Sequence, residues 1–71
     1  MNKVWLLVLE EDGEDVGFFA FSCMEVAELF ATSNDLEPYS ARLGVLSIDD
    51  PKMEPEGSYV WDGMIWRYER L

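Results

Sequence analysis

The chain sets fifteen Asp and Glu against five Lys and Arg over 71 residues, has no His, and carries a formal charge of -10. A chain of this length buries only about 60% of the surface its unfolded form exposes, so its 49% of hydrophobic residues, including three Trp, three Tyr and four Phe, must form one dense core, which excludes a disordered acidic tail. The charge keeps so small a body soluble but makes it repel itself, and it opposes both anionic lipid surfaces and direct nucleic-acid binding, since Arg42, Lys52, Arg67 and Arg70 are scattered or lie among acids.

The reading is a single domain over residues 1–71. With one cysteine, Cys23, and no His, neither an internal disulfide nor a zinc set can be assembled, and no cofactor or metal is expected. The apolar run Val4–Leu9 is too short for a signal-peptide core or a membrane span, so the expected location is the cytoplasm.

Val4-Trp5-Leu6-Leu7-Val8-Leu9 is aliphatic without alternation, which predicts a central strand buried on both faces. Glu10–Asp15, with Asp12-Gly13 at its middle, predicts a turn, and Val16–Phe21 a second strand, the two forming an antiparallel hairpin. Ser22 and Glu25 have capping-box spacing, with the hydroxyl accepting from the Glu25 N–H and the carboxylate reaching back to the Ser22 N–H. A helix over roughly 23–32 then sets Cys23, Val26, Ala27 and Phe30 on one stripe against the sheet and turns Glu25 and Glu28 away. Ser33-Asn34-Asp35 stops it, and Glu37-Pro38-Tyr39-Ser40 leads into a third strand over 42–48, interrupted by Gly44. Residues 49–58, with Pro51, Pro55, Gly57 and four carboxylates, read as an exposed loop.

Tyr59-Val60-Trp61, Asp62-Gly63 and Met64–Glu69 predict a hairpin with a two-residue type I′ turn, Trp61 facing Met64 and Tyr59 facing Trp66. Tyr59, Trp61, Met64, Trp66 and Tyr68 then share one face, and Val60, Ile65 and Arg67 the other. Either the helix and first sheet cover the aromatic face or it is an exposed patch that docks a partner or a second copy. The predicted fold class is α+β, one helix on an antiparallel or mixed sheet in the order ββαβββ.

Read together, Lys3–Leu9, the Asp12-Gly13 turn, the Gly-and-aromatic strand Val16–Phe21 and the helix start Ser22-Cys23-Met24-Glu25-Val26-Ala27-Glu28 resemble many short proteins of bacteriophage and mobile-element origin. The resemblance spans Lys3 to about Phe30 and is one of architecture. Several anti-CRISPR and anti-restriction inhibitors look similar in size, acidity and lack of catalytic residues. That resemblance implies an inhibitor that blocks a nucleic-acid-binding site, and it carries over no functional residue.

The residues themselves suggest how. A folded surface with carboxylates spaced like phosphates can occupy a Lys- and Arg-lined groove and release counterions as DNA does. The candidate partner-binding residues are Glu10, Glu11, Asp12, Glu14 and Asp15 in the first turn, Glu25 and Glu28 on the helix, Asp35 and Glu37 after it, and Asp49, Asp50, Glu54 and Glu56 in the long loop. Trp61, Trp66, Tyr59 or Tyr39 would supply the desolvated anchors. The expected partner is a basic nucleic-acid-binding protein or complex of the CRISPR-effector or restriction type.

Other chemistry fits less well, because a charge run is ordinarily a solvated face. Asp49 with Asp50, or Glu25 with Glu28, lacks the cleft that two-carboxylate catalysis needs in so small a fold, and no enzyme activity is expected. Asp12-Gly13-Glu14-Asp15 does not match a twelve-residue calcium loop. Cys23 would have an activated thiol if exposed at the helix start, but on the apolar stripe it reads as a small buried hydrophobe. The contrasting reading is a small assembly module that homodimerises or adds its terminal hairpin to another chain, its acidity serving solubility; a structural phage component is a third.

Overall fold

The computed structural model describes residues 3–49 and 57–69. Its elements are β1 Lys3–Glu11, β2 Glu14–Phe21, α1 Met24–Ser33, β3 Ser40–Ser47, β4 Gly57–Trp61 and β5 Trp66–Tyr68. All five strands join one sheet, in the order β2-β1-β3-β4-β5, and every pairing is antiparallel. One helix therefore accompanies a sheet that dominates the fold, and no mixed pairing occurs among the described strands.

The β1–β2 hairpin closes at Asp12-Gly13, where φ is 53° and 82°. Two successive left-handed residues make the primed turn whose twist suits paired strands, so the strands continue through Glu11 and Glu14, deeper into the acidic segment than the predicted turn allowed. Leu9 pairs with Gly17 but Glu10 pairs with Asp15, which leaves Val16 as the extra residue of a β-bulge.

β2 and β3 both run antiparallel to β1 from either side, so they are parallel to each other and α1 crosses over β1 to connect them. The helix covers the face formed by alternate residues. Leu7, Leu9, Ala41 and Leu43 of the strands, Ala27 and Ala31 of the helix, Leu36 and Trp66 form the buried cluster, with Trp5, Phe21, Met24, Phe30, Tyr39, Tyr59 and Trp61 packed against it. Phe30 clasps Phe19 and Phe21 of β2, with ring centroids 4.8 and 5.4 Å apart. Leu7 and Leu43 are fully buried and each contributes about 1.5–3 kcal/mol through burial.

The expected helix stripe is shifted. Ala27 and Ala31 are buried and Met24 and Phe30 pack on the core, whereas Val26 is exposed and Cys23 only half-buried. Cys23 is itself the N-cap, and no side-chain cap hydrogen bond forms, so the Ser22 capping box is not made. Ala27 and Phe30 of the expected stripe do pack, while Met24 and Ala31 stand where Cys23 and Val26 were expected, and small alanines bring the helix close to the sheet.

β1 is an interior strand, next to edge strand β2, while β3 occupies the centre of the sheet, and β1 is covered on one face only instead of the predicted two. On the other, Val4, Leu6, Val8, Gly44, Leu46, Ser58 and Val60 are half-buried by their neighbours within the sheet, and none belongs to the core cluster. Phe18, paired with Val8, lies on this face and is 62% exposed. The aliphatic run of β1 is thus that of a one-sided antiparallel sheet whose outer face combines these apolar residues with exposed Arg42 and Arg67 beside Val60.

The last hairpin departs from its predicted register. Trp61 pairs with Trp66, Val60 with Arg67 and Tyr59 with Tyr68, so the loop holds four residues, Asp62–Ile65. Its cause is the Asp62 side chain, whose Oδ1 accepts from the N–H groups of Met64 and Ile65, both at 2.8 Å, while the Asp62 N–H donates to the Ile65 carbonyl at 3.2 Å. A two-residue shift preserves strand parity, so Tyr59, Trp61, Trp66 and Tyr68 still share a face; Met64 leaves that face, and Ile65 the opposite one, for the exposed loop. Trp66 is buried and Tyr59 and Trp61 pack on the core, while Tyr68 stays 62% exposed. Ile48 lies just beyond β3, and Gly57 and Ser58 belong to β4 instead of the predicted loop. Residues 50–56 of that loop lie outside the described residues.

Candidate functional site

Sheet topology gathers the acidic residues that are separated in sequence. β1 ends, β2 begins, β3 begins and β4 ends at one end of the sheet, because Glu10 pairs with both Asp15 and Ser40 and Arg42 pairs with Val60, one residue before Trp61. The helix runs back toward the same end and delivers the loop 34–39 there. Glu10, Glu11, Asp12, Glu14 and Asp15 of the first hairpin, Asp35 and Glu37 of the loop, and Asp62 of the last hairpin therefore share this end, all exposed. Five strands about 4.8 Å apart make it about 20 Å wide, comparable to about six base-pair steps of duplex DNA at about 3.4 Å per step.

The end of α1 adds to the negative charge. A helix C-terminus is equivalent to roughly half a negative charge, and the last turn of α1 contains no basic residue. Neutral donors close it instead. Asn34 donates to the Phe30 carbonyl from its N–H at 3.1 Å and its Nδ2 at 2.8 Å, and Thr32 Oγ1 donates to the Leu29 carbonyl at 3.1 Å. Beyond it, Asp35 Oδ1 accepts from the Glu37 N–H at 3.0 Å and the Leu36 carbonyl from the Tyr39 N–H at 2.9 Å. These bonds fold the loop tightly and anchor buried Leu36 beneath it.

Between this loop and the Asp62–Ile65 turn lies a cleft of about 670 Å³, lined by Ala31, Thr32, Asn34, Asp35, Leu36, Glu37, Tyr39, Trp61, Asp62, Gly63 and Met64. Three of these residues are carboxylates, two are aromatic and none is basic. Asp62 is held by its neighbours. Backbone donors from Ile65 and Met64, followed by the Arg67 guanidinium, lower its carboxyl to about 2, and Arg67 Nε contacts Oδ2.

The remaining candidates lie elsewhere. Glu25 and Glu28 are exposed on the helix, Glu25 in the first turn and thus toward the opposite end. The Glu25 carboxyl is lowered by its own backbone N–H and then by the Cys23 thiol. Asp49 follows β3 at that opposite end, exposed and with φ 66°. Asp50, Glu54 and Glu56 lie outside the described residues. Sequence reasoning treated Asp62 only as a turn former and did not count it with the acids; no local pattern marks it, since its place comes from the β3–β4 pairing. Among the described residues no group of three or more His, Cys, Asp or Glu is arranged to hold a metal ion, and no helix is long and apolar enough to cross a membrane.

The chain matches no protein-family model, no curated protein and no solved structure at a significant level.

Proposed function

We propose that the protein is a non-enzymatic inhibitor that presents its acidic sheet end to the basic nucleic-acid-binding groove of a host defence complex, of the CRISPR-effector or restriction type, and keeps DNA out. The observation that carries this reading is the convergence of eight carboxylates from three separate chain segments on one end, joined by the negative pole of α1. Like charges held together oppose folding, and none of these side chains belongs to the core. A basic groove would repay that cost. Long-range attraction would accelerate association, and counterion release would make affinity depend steeply on salt.

The test is capture from a bacterial lysate carrying CRISPR and restriction systems, with washes at low and high salt and displacement by duplex DNA. A DNA-binding complex that is released by both, and whose DNA loading the purified chain blocks, supports the proposal. A partner indifferent to both salt and DNA contradicts it.

One observation favours a second reading. The uncovered sheet face carrying Val4, Leu6, Val8, Phe18, Leu46 and Val60 suits a homodimer or assembly module. Five strands about 4.8 Å apart and β1, at about 3.3 Å per residue, outline roughly 600 Å², near the roughly 800 Å² per partner of a standard interface. Sedimentation decides between them: self-association that persists in high salt favours this face, whereas a monomer leaves it as a solvated surface.

A further inference from the structure

The cleft between the helix end and the last hairpin has a chemistry of its own. Trp61 and Tyr39 supply aromatic walls, Leu36 a buried apolar base, and Asp35 and Glu37 two carboxylates. The third, Asp62, is already engaged by Met64, Ile65 and Arg67. Trp61 is held from behind by Trp66, with ring centroids 5.1 Å apart, and Asp35 is held by the Glu37 N–H, so one wall and one acid are positioned before any ligand arrives. The volume of about 670 Å³ lies within the range of ligand-binding pockets, about 300–1,000 Å³.

Aromatic faces beside Asp35 and Glu37, two carboxylates with no cation against them among the described contacts, select a planar cation. A guanidinium stacks on Trp or Tyr, pairs with a carboxylate through two parallel N–H donors and loses less hydration than an ammonium. An anion would meet three carboxylates and the negative helix end, and a neutral apolar group would strand them.

We propose that this cleft is a receptor for an arginine side chain of a protein partner. The inference deepens the inhibitor reading and rests on it for the source of the arginine, the partner's nucleic-acid groove; the receptor chemistry comes from the cleft itself. Arginine, not lysine, is the preferred occupant, because the cleft offers both an aromatic face for stacking and a carboxylate for bidentate pairing.

The experiment titrates L-argininamide, with L-lysinamide and glycinamide alongside, into the full-length nitrogen-15-labelled chain followed by NMR. Saturable shifts are expected at the Trp61 indole and at Glu37, Tyr39 and Met64, with argininamide bound about threefold or more tightly than lysinamide. Trp61→Leu should abolish them. Glu37→Gln combined with Asp35→Asn, which retains the acceptor for the Glu37 N–H, should weaken binding by about threefold or more. Should Trp61→Leu fail to fold, the double variant decides alone. Shifts that do not saturate, that spread equally to Glu11, Asp12 and Glu28, or whose affinity is unchanged in the double variant overturn the proposal. A chain that blocks DNA loading yet ignores argininamide overturns the receptor and leaves the inhibitor standing; one that binds argininamide yet never competes with DNA does the reverse.

Discussion

Trp61 of β4 lies directly across from Trp66 of β5, ring centroids 5.1 Å apart, and the pair divides two tasks. Trp66 is 8% exposed and belongs to the core, while Trp61 forms a wall of the cleft. Trp66→Ala should therefore cost about 3–5 kcal/mol, enough to unfold a large fraction of so small a domain. Trp66 Nε1 is buried and finds no acceptor among the described residues. Trp66→Phe, which removes that unsatisfied donor, should cost less than half as much as Trp66→Ala in urea denaturation. Equal losses would show that the indole N–H is satisfied in solution.

The Asp12-Gly13 turn supports a second prediction. Gly13 has φ 82° and open space around its Cα, so Gly13→Ala should cost about 1 kcal/mol through backbone strain alone. Asp12→Asn, placing a residue that tolerates φ 53°, should leave stability unchanged or raised while removing one acidic charge. Chemical denaturation of both variants checks this. A destabilising Asp12→Asn would mean that the carboxylate itself supports the hairpin.

Asp62 supplies the pH prediction. Its carboxyl is lowered from 3.8 to about 2 by the Ile65 and Met64 N–H groups and by Arg67. A lowered carboxyl contributes stability that is fully present above its unfolded value, near 4, and is lost as pH falls through its folded value. The last hairpin should thus stay intact at pH 4 and loosen toward pH 2, with the Met64 and Ile65 amide resonances moving together around a midpoint near 2. A midpoint near 4 would show that these hydrogen bonds are not maintained in solution. In Asp62→Asn the low-pH transition at these amides should vanish.

Close helix packing gives a fourth. Ala27 is fully buried and Ala31 is 3% exposed, so Ala27→Leu should push α1 off β1 and cost about 1–3 kcal/mol. Val26→Ala, at a position 43% exposed, should change stability by less than about 0.5 kcal/mol. The predicted stripe holds Val26 together with Ala27; were both packed, Val26→Ala would cost about 1 kcal/mol or more as well, and thermal unfolding of both variants distinguishes the cases.

Apolar runs made the strands legible, though without alternation the run of β1 did not tell which of its faces is covered. Trp5, Leu7 and Leu9 share a face with Leu43 and Val45, and the apolar runs mark where β1, β2 and β3 lie. The helix start was less legible, because the Ser22–Glu25 spacing invites a cap that Cys23 takes instead. Two Asp-Gly pairs also behave differently: at 12–13 the backbone makes the primed turn, but at 62–63 the Asp side chain bonds its own following N–H groups and opens a longer loop. The site was the least legible part. Each acidic cluster is visible along the chain, but their meeting depends on the crossover of α1 between β2 and β3 and on the β3–β4 register. Those are long-range pairings with no local signature. The aromatic anchors were likewise visible as residue types, whereas the cleft joining Tyr39 to Trp61 exists only after the loop 34–39 folds against the last hairpin.

The most direct measurement is the affinity for a captured DNA-binding complex as a function of salt, for the native chain and two sets of substitutions. One neutralises the sheet end with Glu10→Gln, Glu11→Gln, Glu14→Gln and Asp15→Asn; the other neutralises the helix with Glu25→Gln and Glu28→Gln. Recognition through the acidic end requires the first set to weaken binding and flatten its salt dependence while the second leaves both nearly unchanged. Equal effects from the two sets, or an affinity of the native chain that ignores salt, would contradict it.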